Sequence, residues 1–261
     1  MPRNNTVSVV LIAKNSEHTL KSCLSSVQWA DEIILLDSGS NDKTVEIAQQ
    51  LGAKIYIHTD WQGYGYQRQV AQQYASSDYI FMIDTDEQVT DELKASILNV
   101  LEQPPQSNTV YTCARRNWFI GRYMMNCGWY PDRVIRLYLN KERTYNNNQV
   151  HEAVDTSNAI IKPLTGDLLH STCTDYIEFQ RKQLIYAQGW AEERYQQGKK
   201  AGLTSAFSHS LAAFVKTYLI RKGFLDGAHG LLLSLVVTQY TFNKYAALWA
   251  LNKKDPNRDI S

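Results

Sequence analysis

Early in the chain, apolar runs of strand length repeatedly end in polar turns and then give way to helical spacing. Val7 to Ile12 runs into Lys14-Asn15-Ser16, then into a helical pattern through Leu20, Leu24 and Val27. Asp31-Glu32-Ile33-Ile34-Leu35-Leu36 stops at Asp37-Ser38-Gly39-Ser40-Asn41-Asp42. Lys43 to Leu51 then reads as a helix, with Gly52 as its expected C-cap. Ala53 to Ile57 and Tyr79 to Ile83 add two further short runs, the second rich in aromatic and β-branched residues. Alternating strands and helices predict an α/β fold, a mostly parallel sheet with helices on both faces. Ligands bind such sheets outside the carboxyl ends of the strands. Lys14, Asp37 and Asp84 fall at those ends, so three distant segments are expected to meet at one crevice.

The run Tyr79 to Ile83 ends in Asp84-Thr85-Asp86-Glu87. A strand does not bury unpaired carboxylates, so the chain is expected to emerge from the sheet here. Extended alternation puts Asp84 and Asp86 on one face and Thr85 on the other. Two hard oxygen donors at that spacing suit Mg²⁺ or Mn²⁺, which in turn can hold a diphosphate. Two solvated loop acids have the same spacing, and the pair alone does not separate the readings.

Other chemistries are excluded by spacing and composition. Gly63-x-Gly65 lacks the third glycine of a dinucleotide loop, and no second histidine follows His151-Glu152 at zincin spacing. No Gly-x-Ser-x-Gly elbow is present. The formal charge is +1, which provides no global field for nucleic acid. Cys23, Cys113, Cys127 and Cys173 are scattered and fit neither a zinc ribbon nor a disulfide scaffold. Met1 to Thr6 leads straight into a strand without an apolar signal segment, so a cytoplasmic protein is expected.

From about residue 176 the pattern turns helical. Leu231 to Val237 is the most apolar run there, and it falls short of the roughly 20 residues a spanning helix needs. Tyr240, Phe242, Tyr245 and Trp249, with Arg221, Lys222, Lys244, Lys253 and Lys254, fit an interfacial helix pair on an anionic leaflet. Ordinary packing of two helices on the sheet domain fits them equally.

The ordered set of motifs resembles a family two glycosyltransferase of the GT-A fold. Ser8 to Asn15 looks like that family's opening strand, and Asp37-Ser38-Gly39-Ser40-Asn41-Asp42 is close to its Asp-x-Gly-Ser-x-Asp turn. Gly63 to Ala71 is similar to its basic helix start, and Asp84-Thr85-Asp86-Glu87 matches its metal motif. Gly128 to Tyr138, Val150-His151-Glu152, Leu168 to Thr172 and Gly223 to Gly227 resemble bacterial lipopolysaccharide inner-core heptosyl β-1,4-glucosyltransferases. Tyr138 departs from a phenylalanine common there, and the tail from Asp255 to Ser261 matches nothing. The expected organisation is a GT-A domain over 1–175, with a nucleotide-sugar half (1–100) and an acceptor half (101–175). A helical region follows over 176–261.

The resemblance implies an inverting transfer of glucose from UDP-glucose to a heptose on a lipid-anchored core. It implies a metal-dependent enzyme in peripheral contact with the inner membrane. Asp86 is the expected metal ligand, with His170 as a further one; Asp84 is expected at the ribose or a metal-bound water. Ala13, Lys14, Asn15, Glu17, Asp37, Ser38, Arg68 and Thr85 complete the expected nucleotide-sugar site, with Asp37 accepting from the uracil N–H or capping its own turn. Glu152 is the first candidate for general base and Asp132 the second. Arg133 and Arg136 are expected to hold acceptor phosphates or packed carboxylates. Arg181 and Lys182 reach a phosphate or form a solvated helix face. A capsule or polyprenyl-linked acceptor, or a non-catalytic nucleotide-sugar-binding module, are the alternatives.

Overall fold

The computed structural model describes residues 4–146 and 153–253. The chain divides into two compact units: Met1–Arg116 with Asp132–Ser171, and Asn117–Pro131 with Thr172–Ser261. Residues 117–131, read from sequence as part of the 101–175 half, group with the helical unit.

In the first unit, β1 (Val7–Ala13), β2 (Glu32–Asp37), β3 (Lys54–Ile57) and β4 (Tyr79–Met82) pair in parallel in the order β3-β2-β1-β4. The helices α1 (Leu20–Ser26), α2 (Thr44–Gln50) and α3 (Tyr64–Gln72) connect them. Alternation along the strands separates two cores. Val7, Val9, Leu11, Leu35 and Phe81 join Leu20 and Leu24 of α1 on one side; Val10, Ile34, Leu36, Ile80 and Met82 join Val70 and Ala71 of α3 on the other. Each such fully buried side chain contributes about 1.5–3 kcal/mol. Gly52 follows α2 at φ +74, the left-handed conformation that a helix C-terminus requires.

The strand order continues as β8-β6-β9-β5, with β8 (Asp132–Leu139) antiparallel to both β4 and β6 (Thr109–Phe119). The short β5 (Glu87–Val89) pairs antiparallel with β9 (Ile160–Cys173). Helix α4 (Asp91–Glu102) is capped by Thr90, whose hydroxyl accepts from Leu93 N–H and donates to the Asp167 carbonyl. Gly166 sits at φ +84, and a Cβ there would lie 2.2 Å from the Leu93 nitrogen, so only glycine lets β9 approach α4 this closely.

At the opposite end of the sheet from the crevice, the buried Glu32 binds Lys54 (2.7 Å), Ser8 Oγ (2.6 Å) and Ser76 N–H (3.0 Å). Burial opposes its ionisation, but these partners outweigh burial and bring the carboxyl down to about 2. A depressed folded-state pKa contributes stability above the unfolded value of about 4.3 that is lost as pH falls through the folded value. Acid titration from pH 5 to pH 2 should therefore cost the wild type about 1–2 kcal/mol more than Glu32→Gln, a value reduced for solvent screening of Lys54. Parallel stability curves for the two proteins over that range would refute the assignment.

The second unit contains β7 (Arg122–Tyr123), α5 (Tyr176–Gln196), α6 (Leu203–Phe214), a π-helical turn (Val215–Ile220), a 3-10 turn (Gly223–Asp226) and α7 (Gly227–Lys253). Phe119, Trp129 and Phe179 pack edge to face in its core. The buried Asp226 accepts from Asn126 N–H (2.8 Å) and from Arg122 (3.2 Å), which ties 117–131 to these helices. Among the described residues, no helix is long and apolar enough to cross a membrane.

Candidate active site

The turns after β1, β2 and β4 are laced together. Asp37 Oδ2 accepts from Gly39 N–H (3.0 Å) and Ser40 N–H (2.9 Å), and Oδ1 accepts from the Ser40 hydroxyl (2.5 Å). Ser40 Oγ then accepts from Asn15 N–H, and Asn15 Oδ1 accepts from Asn41 N–H, each at 2.9 Å. Glu17 donates its N–H to Asp42 and accepts from Lys43 N–H, each at 3.1 Å. The Thr85 hydroxyl donates to Ser16 Oγ at 3.1 Å, and Ser16 N–H donates to Thr44 Oγ1 at 2.7 Å. Ser38 is buried and accepts from Gln67 Nε2 of α3 at 3.2 Å. Ala13 is buried at the strand end, and Lys14 is exposed. The expected convergence of three strand ends is therefore observed. Asp37, Asn15 and Glu17 also build the turns that make it.

Asp84 lies between two arginines. Its Oδ1 accepts from Arg68 Nη2 of α3 at 2.6 Å, and its Oδ2 accepts from Arg136 Nη2 of β8 at 2.5 Å. Burial opposes ionisation, but Arg136 and Arg68 outweigh it and hold the carboxyl below the usual carboxylate range. Arg136 also donates to Glu87 Oε1 at 2.6 Å, and Glu87 Oε2 accepts from Asp84 N–H at 3.0 Å. Glu87 is 0 % exposed. Burial raises its carboxyl and the Asp84 charge adds to this, while Arg136 pulls the other way. Arg115 of β6 lies 3.8 Å from Glu87 and holds Asp132 Oδ2 with Nε (2.9 Å) and Nη2 (2.6 Å). Arg136 thus packs against two carboxylates, Asp84 and Glu87.

Asp86 stands apart from this cluster. Its side chain is 39 % exposed, and its Oδ2 lies 3.4 Å from His170 Nε2. The β5–β9 ladder makes the meeting possible: Glu87 pairs with His170, and Ser171 N–H donates to the Asp86 carbonyl at 3.0 Å. Among the described residues, no group of three or more metal-ligating side chains gathers, and Asp86 and His170 form a pair. A carboxylate oxygen suits Mg²⁺ or Mn²⁺, and an imidazole nitrogen is a donor for transition metals.

Arg68, Asp84, Arg115, Arg133, Arg136 and Tyr145 line a cavity of about 350 Å³. Arg133 is exposed at its wall, and the Arg68 guanidinium lies 5.1 Å above the Tyr145 ring centroid. Arg181 and Lys182 lie exposed on α5 in the second unit. Glu152 and His151 lie outside the described residues. Sequence reading missed Glu87, Arg115 and Tyr145. Glu87 directly follows the Asp-x-Asp motif and Arg115 interrupts an apolar run, and both were available signals.

A parallel β1–β4 core extended by antiparallel strands, with carboxylates and a histidine at the strand ends, is the architecture of a GT-A glycosyltransferase. The chain belongs to glycosyl transferase family 2, whose model matches residues 8–164, and it is a nucleotide-sugar-dependent glycosyltransferase. It is 27% identical over 261 residues to an uncharacterized glycosyltransferase of Rickettsia typhi, covering 96% of this chain and 89% of that protein. It is 26% identical over 265 residues to the lipopolysaccharide core biosynthesis glycosyltransferase LpsC of Rhizobium meliloti, covering 97% of this chain and 96% of that protein. In fold it is similar to the mannosyltransferase PcManGT from Pyrobaculum calidifontis in complex with GDP-Man and Mn²⁺. That likeness has a TM-score of 0.56 at 11% identity and covers 96% of this chain and 88% of the other.

Proposed function

We propose that this chain transfers glucose from UDP-glucose, with inversion, to a heptose of a lipid-anchored lipopolysaccharide inner core. The observation that carries this reading is the near end-to-end likeness to a lipopolysaccharide core glycosyltransferase. The reaction then belongs at the cytoplasmic face of an inner membrane, where such an acceptor is assembled.

Asp86 and His170 are the residues that hold Mg²⁺ or Mn²⁺ in this reading, supported by their 3.4 Å separation and partial exposure. The cation neutralises charge on the departing diphosphate when bound. Asp84 keeps its place at the ribose or a metal-bound water in this reading, because Arg68 and Arg136 each take one position on its two oxygens and leave about two of four acceptor positions open. Asp37 accepts three hydrogen bonds in its turn, and a carboxylate has about four acceptor positions, so one is left for a uracil N–H. Ala13, Lys14, Asn15, Glu17, Ser38, Arg68 and Thr85 surround the nucleotide. Arg133 meets an anionic group of the acceptor, and Arg181 and Lys182 a core phosphate. Glu152 takes the proton from the attacking hydroxyl; Asp132, held by Arg115, is the second candidate.

A hydrolysis and transfer screen of UDP-sugars with Mg²⁺, Mn²⁺ or EDTA, with and without a heptose-terminated core acceptor, tests the reading. UDP-glucose should be the preferred donor, with turnover abolished by EDTA. Glu152→Gln should bind UDP-glucose normally while kcat falls by roughly two to four orders of magnitude. The same loss in Asp132→Asn, with Glu152→Gln active, moves the base to Asp132. Indifference to the heptose acceptor removes the acceptor assignment.

A further inference from the structure

An ordinary surface helix turns its apolar stripe inward and its polar side outward. Helix α6 and the π-helical turn after it do the reverse. Their buried positions are Ala206, Ser210 and Thr217, which are small or hydroxyl-bearing. Several of their large apolar side chains are exposed: Phe207 is 64 % exposed beside the Phe242 ring, Leu211 65 %, Leu219 53 % and Ile220 70 %, while Phe214 and Tyr218 are half-buried. Phe207, Leu211, Val215 and Leu219 recur every four residues, so the exposure follows a stripe and is not scattered. Phe224 and Leu225, exposed in the next turn, follow it in sequence. Large apolar side chains exposed together along one segment mark an interaction site.

The charge on the segment selects the partner. Between Leu203 and Leu225 there is no aspartate or glutamate, while Lys216, Arg221 and Lys222 are all present and exposed. A second copy docked through the same face by two-fold symmetry would set these cations against one another. An anionic lipid surface complements them, and long basic side chains reach headgroups while their stems stay on apolar surface. Phe214 stacks on Tyr218 (centroids 5.3 Å apart), which in turn contacts Phe224 (6.3 Å), so aromatic rings accompany the stripe as they do at membrane interfaces. No described helix is long and apolar enough to cross a membrane, and an element of this kind that docks does so in the plane of the interface.

We infer that Leu203–Leu225 is a monotopic membrane-docking element, with the exposed Phe207, Leu211, Leu219 and Ile220 side chains set into an anionic leaflet and Lys216 and Lys222 on its headgroups. This assigns the contact to α6 and the turns after it, where the sequence pattern spread it through α7 to Lys253 and Lys254; Lys254 lies outside the described residues. The inference stands whether or not the acceptor is a core heptose.

Co-sedimentation of the full chain with acceptor-free vesicles of phosphatidylcholine, with and without phosphatidylglycerol, tests it. The wild type should pellet with the anionic vesicles. Leu211→Ser/Leu219→Ser/Ile220→Ser changes only exposed side chains and should stay in the supernatant with an unchanged melting temperature. Lys216→Glu/Lys222→Glu should bind anionic vesicles at least tenfold more weakly, since each basic residue near such a surface is worth roughly a factor of five. Lys141→Glu/Lys162→Glu, an equal charge change in the first unit, should bind like the wild type. A wild type that stays in the supernatant overturns the inference, as does a triple-serine variant that still pellets. A wild type that is dimeric without lipid, becomes monomeric in the triple-serine variant and ignores vesicles would make this face a self-association surface instead.

Discussion

Asp86→Ala should lose at least three orders of magnitude in transfer while unfolding within about 2 °C of the wild type. The side chain is 39 % exposed and its neighbour is His170, so its removal leaves no buried charge. Surface changes of this kind fall within about 0.5 kcal/mol of neutral. In the proposed function Asp86 is a ligand of the cation, and losing charge neutralisation at a departing diphosphate costs several kcal/mol, with about 1.4 kcal/mol for each factor of ten. Asp86→Asn should retain little more, because an amide oxygen carries no charge. Turnover and Mn²⁺ affinity, measured together with thermal melting, check the result. Near-normal turnover in Asp86→Ala, or full wild-type activity in EDTA, removes Asp86 from the site.

Arg136→Leu should show the opposite profile, a large loss of stability. Arg136 joins Asp84 to the fully buried Glu87, and removing one member of such a cluster leaves an uncompensated carboxylate inside the protein. The expected cost is about 3–5 kcal/mol, or roughly 10 °C in melting temperature for a chain of this size. The pH dependence identifies the cause. In the wild type Asp84 is held below the usual range, so its contribution is complete above about pH 4 and fades as pH falls. Without the guanidinium, Asp84 still has Arg68, but Glu87 loses its nearest cation and burial favours its protonated form, so the Glu87 contribution is kept at low pH and lost as pH rises. The deficit of Arg136→Leu should therefore be largest near pH 8 and shrink toward pH 4. A deficit that does not vary with pH would point to lost packing, and one below 1 kcal/mol would show that the cluster contributes little.

The strand ends were legible in the sequence because each rests on local chemistry. Apolar runs of strand length have to be buried, and carboxylates at their ends need polar partners or solvent, so Asp37, Asp84 and Asp86 were placed at strand ends without any knowledge of their neighbours. Asp37 stays buried as the last residue of β2 because its own turn supplies three hydrogen bonds. Family membership was legible for a related reason, since its motifs keep their order along the chain. What each carboxylate touches was decided elsewhere. Asp84 and Asp86 share a motif, yet α3 and β8 deliver Arg68 and Arg136 to the first, and the β5–β9 register delivers His170 to the second. These pairings join segments far apart in the chain, and nothing in the local sequence fixes their register. Arg115 and Glu87 escaped notice because their signals, an arginine in an apolar run and a glutamate directly after the Asp-x-Asp motif, do not say which distant residue each will meet. The direction of α6 was illegible for a deeper reason. Helical periodicity shows that Phe207, Leu211 and Leu219 share a face, but only tertiary packing decides whether that face meets the protein or turns away from it.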